Sequence, residues 1–408
     1  MKFKYFTTTA LFLSLFLSSC NSENRQQKQL NIAEESWPNL EQAAKGTTVQ
    51  MMMWQGDPLI NKYMEDYVKP KLRALYNITL DISSGQGKDI VGFALAEKET
   101  GKKTSEIDVI WINGETFYQL RQLDALYGPF TERLPNNQLV NWQSSFIARD
   151  FQQPVKGMEA PWGNVQLAFI YHSGKVTQPP ASFNALETYI QNNPGTFTIP
   201  NEFTGMTLLK SWMIALAGKE ELAGSFSAAK YTKYSQQLWQ KLNRLKPYFW
   251  KQGQTFPATL AQLHQLYANG EVNFTFSNND AEVDNKILQG VFPPESRAYV
   301  PEPGTIQNSH YLGIMKKAAN VPGALVVINF LQSPEAQYQK ASPAVWGDGT
   351  ILAFSKLPDE WQQKFKNISA RRQAPDRSKI QHRAFEELAP EYMIRLYDDF
   401  RTKVIEQN

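Results

Sequence analysis

Cysteine is nearly absent: Cys20 stands alone among 408 residues. That excludes internal disulfides, CxxC redox chemistry and any cysteine-cluster zinc site. Histidine is scarce as well. His172, His264, His310 and His382 lie far apart with no HxxH or HExxH spacing, so a metal site built on histidine pairs is not expected, and no cofactor is called for. Beyond the N-terminus no apolar run approaches the ~18 residues of a membrane span. An excess of one charge is missing too. The 42 Lys+Arg and 39 Asp+Glu leave a formal net charge of +3, without the basic surplus of a nucleic-acid-binding domain. With 42 % hydrophobic and 20 % charged residues, the chain is composed as a folded globular protein, not as a rod or a disordered segment. Its length suits two domains or one large one.

What is present begins with an export signal. Lys2 and Lys4 precede an apolar stretch at 6–17, too short to span, and Leu17-Ser18-Ser19 leads into the lone cysteine. The pattern resembles the bacterial lipobox, in which the cysteine is acylated and becomes the first mature residue. Residues 1–19 are therefore expected to be a signal peptide, Cys20 the lipidation site, and 20–45 a lipidated tether to a membrane. Residues 21–36 are polar and nearly free of aromatics, a composition unable to build a core.

From residue 47 apolar patterning alternates between the strand and helix periods. Strands are predicted at 49–54, 78–82 and 107–112, the last a nearly unbroken apolar run suited to a strand buried on both faces. Helices are predicted at 59–76, kinked at Pro70, at 93–99 and at 115–126. This order argues for a parallel sheet flanked by helices. A second set has strands at 167–171, 196–200 and 272–276. Its helices are at 182–192 with Ser182 as N-cap, 204–217, 231–245, 259–268 and 279–289. The proline-rich 293–304 reads as irregular, 311–315 as a strand, 324–331 as the start of a helix, and the tail from 351 as mostly helical. Two alternating blocks joined by two irregular crossings suggest a bilobed α/β protein, with lobe I at 46–163 plus 305–408 and lobe II at 164–304.

No catalytic motif occurs: there is no Gly-x-Ser-x-Gly, P-loop or GxGxxG. Ligands of open α/β sheets lie at the carboxyl ends of strands, so the candidate contacts are taken from those ends. Trp54, Gly56 and Asp57 follow the first strand; Asn113, Gly114 and Glu115 follow the apolar run; Trp162 marks the crossing. In the second block Thr204, Gly205, Asn278 and Asp280 lie between strands and helices, and Trp346 and Asp348 lie in a tight loop near the return. Each has a plainer alternative: Asp57 and Glu115 as helix caps, Trp54 as core, Thr204 and Asn278 as N-caps, and the histidines as structural or surface residues without partners.

Taken in order, several segments resemble the solute-binding components of bacterial ABC importers, and more narrowly the YnjB-type family. They are Trp54-Gln55-Gly56-Asp57 with Ile60-Asn61-Lys62-Tyr63, 109–117, 161–170, Asn193-Pro194-Gly195-Thr196, Phe203-Thr204-Gly205, Ser333-Pro334-Glu335-Ala336-Gln337 and 343–348. The resemblance implies a two-lobed periplasmic-binding-protein-like (type II) fold with a hinged cleft. It implies a monomeric protein that is not an enzyme and that hands a small solute to a membrane permease driven by an ATPase. The family members it most resembles carry a plain cleaved signal, so the lipobox departs from them. The resemblance does not supply the solute. Aromatics beside acids at the candidate positions (Trp54, Phe117, Trp162, Phe203 and Trp346 with Asp57, Glu115, Asp280 and Asp348) suit an organic cation, thiamine- or polyamine-like. Thr204-Gly205 at a helix start would suit an oxyanion instead, and iron is a further alternative. A secreted lipoprotein enzyme acting on glycans, with tryptophan platforms and a carboxylate pair, is the rival class.

Overall fold

Helix α1 (Trp37–Ala44) leads into β1 (Thr48–Met53) in the computed structural model, which describes residues 32, 34–368 and 371–407. Cys20 and the expected signal peptide at 1–19 lie outside the described residues. The helix predicted at 59–76 is built in three pieces: α2 (Pro58–Tyr63), a π-helical turn Met64–Val68, and α3 (Lys69–Tyr76). The break at Pro70 thus takes the form of a widened turn, in which the Lys69 N–H reaches back to Met64 O. Proline has no N–H for the helical ladder, and the extra residue in the turn absorbs that loss. Then come β2 (Thr79–Ser84), α4 (Gly87–Glu99), β3 (Val109–Ile112) and α5 (Gly114–Gln122). Strand β1 lies between β2 and β3 and is parallel to both, with Met51 opposite Ile82 and Val109.

Short elements α6 (Ser145–Ala148), β4 (Arg149–Asp150) and β5 (Gln153–Pro154) precede β6 (Ala160–Gln166) and β7 (Ala168–His172). The next helices are α7 (Phe183–Asn192), α8 (Phe203–Ala217), α9 (Ala228–Leu245) and α10 (Leu260–Ala268). The Ser182 side chain caps α7 by accepting the Ala185 N–H at 3.2 Å. Strand β8 (Phe274–Ser277), α11 (Glu282–Leu288) and β9 (Ser296–Tyr299) follow. The chain then returns through β10 (Thr305–Ile314), α12 (Val321–Leu331), α13 (Pro334–Ala341), α14 (Asp359–Lys366), α15 (Arg377–Ile380), β11 (Ala384–Phe385) and α16 (Pro390–Phe400).

Two sheets result. The larger has the order β11-β10-β3-β1-β2, with β6 also on β10; the smaller is β8-β7-β9. The parallel sheet expected from the first block is present in β1, β2 and β3, but β10 runs antiparallel to β3 and β6, so the large sheet is mixed. The small sheet is antiparallel throughout. Residues 196–200 form no strand. Phe197 and Ile199 are buried, and Thr196 and Phe197 each accept one N–H, from Asn273 and Trp250, outside any ladder. Conversely, the proline-rich passage contains β9, an edge strand on β7, held between Pro294 and Pro301 where prolines do no harm to a ladder.

The residues from Ser36 onward form one compact unit with separate apolar clusters. One unites Ile90, Ile110, Ile112, Phe117 and Leu120, between the large sheet and helices α4 and α5. The largest surrounds the small sheet and includes Trp212, Leu238 and Phe276, together with Tyr392, Met393, Leu396 and Phe400 of α16. The apolar stripe of α16 thus packs in the core of the second block, although the sequence expectation grouped all of 305–408 with the first. The amphipathic period of that helix says only that one face is buried, not against which layer.

Candidate functional site

Strand alternation places Ile110 and Ile112 against the helices and turns Trp111 to the other face. There Trp111 meets four rings: Trp54 at the end of β1 (6.3 Å between centroids), Trp162 of β6 (5.1 Å), His310 of β10 (5.1 Å) and Trp346 (6.0 Å). His310 also stacks on Trp346 at 5.6 Å, and Trp162 lies edge-on to Trp346 at 5.2 Å. The structure therefore brings three sequence candidates, Trp54, Trp162 and Trp346, into one aromatic cluster. Trp54 is half-buried, with its indole against the exposed Gly56, whereas Trp162 is fully buried. Trp111 was missed because an unbroken apolar run gives no sign of which member looks away from the core; its only signal is a bulky indole among β-branched neighbours.

Beside this cluster lies a fully buried ion pair. Asp348 Oδ2 accepts from Lys340 Nζ at 2.6 Å and lies 3.1 Å from His310 Nε2. Burial alone would raise the Asp348 carboxyl, but Lys340 and His310 outweigh it and hold it well below the usual carboxylate range. Lys340 is lowered by burial, against the pull of Asp348. His310 thus has an acid partner, contrary to the expectation of unpartnered histidines. His264 likewise lies 3.4 Å from Glu282.

Asp57 is the N-cap of α2, its Oδ1 accepting the Leu59 and Ile60 N–H groups at 2.7 and 3.3 Å. Its other oxygen accepts Lys286 Nζ of α11 at 2.7 Å. Close by, Asn279 and Asn285 donate to Trp346 O at 3.3 and 2.5 Å. The segment that follows β8 therefore meets both the end of β1 and the Trp346 loop.

A second polar layer surrounds Lys210 of α8. Its buried ammonium pairs with Glu387 at 2.5 Å and lies 4.1 Å from the centre of the Phe151 ring. Asn308 donates to the other Glu387 oxygen at 3.2 Å. Gly114 allows Phe151 to close in: a Cβ there would stand 1.9 Å from the ring. Asn113 is the extended N-cap of α5, and Glu115 lies in its first turn without capping it. Glu115 Oε2 is sealed from water with no hydrogen-bond partner. Burial pushes this carboxyl up to about 7, with Lys210 opposing and Glu387 adding. A carboxyl raised in the folded state stabilises the fold fully below its unfolded value, about 4.3, and that contribution fades as pH rises through about 7. Glu115→Gln is accordingly expected to gain about 2 kcal/mol over the wild type at pH 8 and to flatten the stability profile between roughly pH 4.5 and 7.5. Urea unfolding across that range checks it; parallel profiles for the two proteins would refute it.

The start of α8 is already occupied by an acid. Glu202 is its N-cap, accepting the Thr204 N–H at 2.9 Å. Thr204 Oγ1 in turn accepts from Asn278 at 3.1 Å, so these two candidates meet, although neither caps α8. Gly205 serves close packing, since a Cβ would stand 1.7 Å from Pro200 O. Asp280 is fully buried. Arg371 and Arg377 bond its carboxylate, and the Gln166 N–H donates to Oδ1 at 3.2 Å. Among the described residues no group of three or more His, Cys, Asp or Glu could hold a metal ion, and no helix is long and apolar enough to cross a membrane.

Two sheets, each with its own helices, joined by crossings that run past an aromatic cluster and two acid–lysine layers, define a two-lobed solute-binding protein of the periplasmic type. Residues 59–367 match the family described as bacterial extracellular solute-binding protein, and the chain belongs to that family. It is 35 % identical over 336 residues to protein YnjB of Escherichia coli K12, covering 81 % of this chain and 86 % of that one. Among solved structures, the periplasmic binding protein AfuA of Actinobacillus pleuropneumoniae, with fructose-6-phosphate bound, matches with a TM-score of 0.62 at 14 % identity, covering 88 % of this chain and 99 % of that one. The spermidine/putrescine ABC transporter protein PotD of Streptococcus pneumoniae matches at 0.59 and 16 %, covering 88 % and 98 %. At such identities these two establish the fold alone. The protein is a solute-binding component of an ABC transporter and not an enzyme, so the glycan-hydrolase alternative is set aside.

Proposed function

We propose that this is a monomeric, lipid-anchored solute-binding protein that captures an organic cation between two lobes, one at 46–163 plus 305–408, with α16 lent to the core of the other, and the second at 164–304, and delivers it to a permease and its ATPase. The observation that carries the solute class is the pairing of Asp57 with an ammonium group: its carboxylate, fixed by two backbone N–H groups, holds Lys286 Nζ at 2.7 Å. Glu115, the other candidate acid of the first block, has Lys210 as a favourable charge neighbour without pairing with it. Half-buried Trp54 adds an aromatic face beside Asp57. Against the oxyanion alternative, the Glu202 carboxylate already takes up the Thr204 N–H at the start of α8, where an anion would dock. The two structural neighbours are named for different solute classes, spermidine/putrescine for one and fructose-6-phosphate for the other, so the cation reading rests on this chain's own residues.

A thermal-shift screen against thiamine, putrescine, spermidine, choline, oxyanions and iron tests the reading. A cation at 100 times its dissociation constant stabilises the fold by about 2.7 kcal/mol, which raises the melting temperature by several degrees. An oxyanion as the sole hit would reject the cation. Anchoring through Cys20 is tested separately by labelling with a palmitate analogue: Cys20→Ser is expected to lose the label, and equal labelling would refute it.

A further inference from the structure

The ion pair between Asp57 and Lys286 has an unusual construction. Asp57 stands at the end of β1 in the large sheet, and Lys286 on the helix after β8 of the small sheet, 229 residues later. The acid is immobile, since its Oδ1 caps α2 through two N–H groups. The lysine has a choice. Glu282, one turn earlier on α11, has its Oε1 3.4 Å from the same ammonium, and His264 Nε2 lies at the same distance from that oxygen. Glu282 is pulled down to about 2 against its burial by His264 and Lys286. Lys286 is held above the ordinary lysine value by Glu282 and Asp57, although burial opposes them. The ammonium thus has one acid on its own helix and a second at the N-cap of α2, and a four-carbon stem to move between them.

We propose that Lys286 is a tethered ammonium that occupies the solute's cation subsite on Asp57, and that a captured solute displaces it onto Glu282. This rests on the reading of the solute as an organic cation. The physical requirement is that the Asp57 carboxylate never be left buried without a partner. Its side chain is 13 % exposed and that of Lys286 8 %, and a shielded charge stripped of its counter-ion is strongly destabilising. A neutral or anionic molecule wedged against Asp57 would impose that penalty. A cation replaces the lysine charge for charge, and Lys286 keeps Glu282. The lysine therefore acts as a specificity determinant: it closes the site without solute and sets the threshold that an incoming cation must exceed.

The test uses the whole chain and does not need the natural solute. Lys286→Ala vacates the subsite, and n-butylammonium chloride should then restore it. The melting temperature of Lys286→Ala is expected to rise saturably with butylammonium, beyond a sodium chloride control of equal ionic strength. Wild type and Lys286→Ala/Asp57→Asn should respond no more than to the salt. The same response in all three proteins, or in none, overturns the proposal. If Lys286→Ala does not fold, Lys286→Met, which keeps the stem, carries the test through affinity. Removing a competitor that fills the subsite nine-tenths of the time should tighten spermidine, putrescine or thiamine binding about tenfold; unchanged or weaker affinity overturns it. Butylammonium rescue with no binding of those cations to either protein would leave the subsite standing and reject the solute class. Equal binding to wild type and Lys286→Met without rescue would do the reverse.

Discussion

Asp280→Asn is expected to destabilise the protein by about 3–5 kcal/mol, the cost of removing one partner from a buried charge network. Arg377 Nε donates to Oδ2 at 2.9 Å and its Nη2 to Oδ1 at 3.2 Å; Arg371 bonds Oδ2 as well, and the Gln166 N–H takes Oδ1. Both guanidinium groups also reach Gly347 O, at 3.3 and 3.2 Å. Asparagine would keep one acceptor oxygen but leave the two adjacent cations without the carboxylate charge between them. Arg371 is already lowered by burial and by Arg377, so it tolerates the loss poorly. The pH dependence has a definite sign. Burial raises the Asp280 carboxyl, but Arg377 and Arg371 outweigh it and bring it below its ordinary value. The stabilisation is therefore present above the unfolded value of about 3.9 and is lost as pH falls through the lower folded value. The gap between wild type and variant should be widest near neutrality and narrow in acid. Denaturant unfolding measures it, and a variant within about 1 kcal/mol of wild type at pH 7 would show that the arginines find other partners.

Lys340→Met is expected to be nearly as damaging, again about 3–5 kcal/mol. Lys340 and Asp348 are both fully buried, joined at 2.6 Å, and Lys340 also donates to Gly349 O at 2.8 Å. Without Lys340 the Asp348 carboxylate keeps only His310. The double variant Lys340→Met/Asp348→Leu removes both charges and should recover a large part of the loss, because two well-packed apolar residues can match a buried ion pair in stability. A double variant as unstable as the sum of the two single ones would contradict this. The pair lies against the aromatic cluster, with Lys340 Nζ 5.5 Å from the Trp346 ring centre, so a loss of packing there would also disturb Trp54, Trp111 and Trp162.

Local signals were legible in the sequence. Ser182 capping α7, the break at Pro70, the apolar run of β3 and the succession of the first block all appear in the structure. These are decided within a few residues, by caps, periodicity and proline. What could not be read depends on pairings far apart in the chain. The direction of β10 follows from its partners β3 and β6, both laid down much earlier in the chain, not from its own pattern. Strand β9 is hidden by the prolines around it. At the candidate site, the positions of Trp54, Asp57 and Glu115 followed from strand ends. The groups that answer them did not: Lys286 and Lys210 sit inside helices, where a lysine normally reads as a solvated face. Arg371 and Arg377, which hold Asp280, come from the tail 91 and 97 residues on. A buried lysine differs from an exposed one only in what folds over it.

Native mass spectrometry of the protein, purified from cells grown in rich medium, bears most directly on capture of a solute at Asp57. The wild type is expected to carry one small cationic molecule per chain, released chemically unchanged on denaturation, and Asp57→Asn is expected to carry none. A bound molecule retained equally by both proteins, or one that is altered on release, would contradict it.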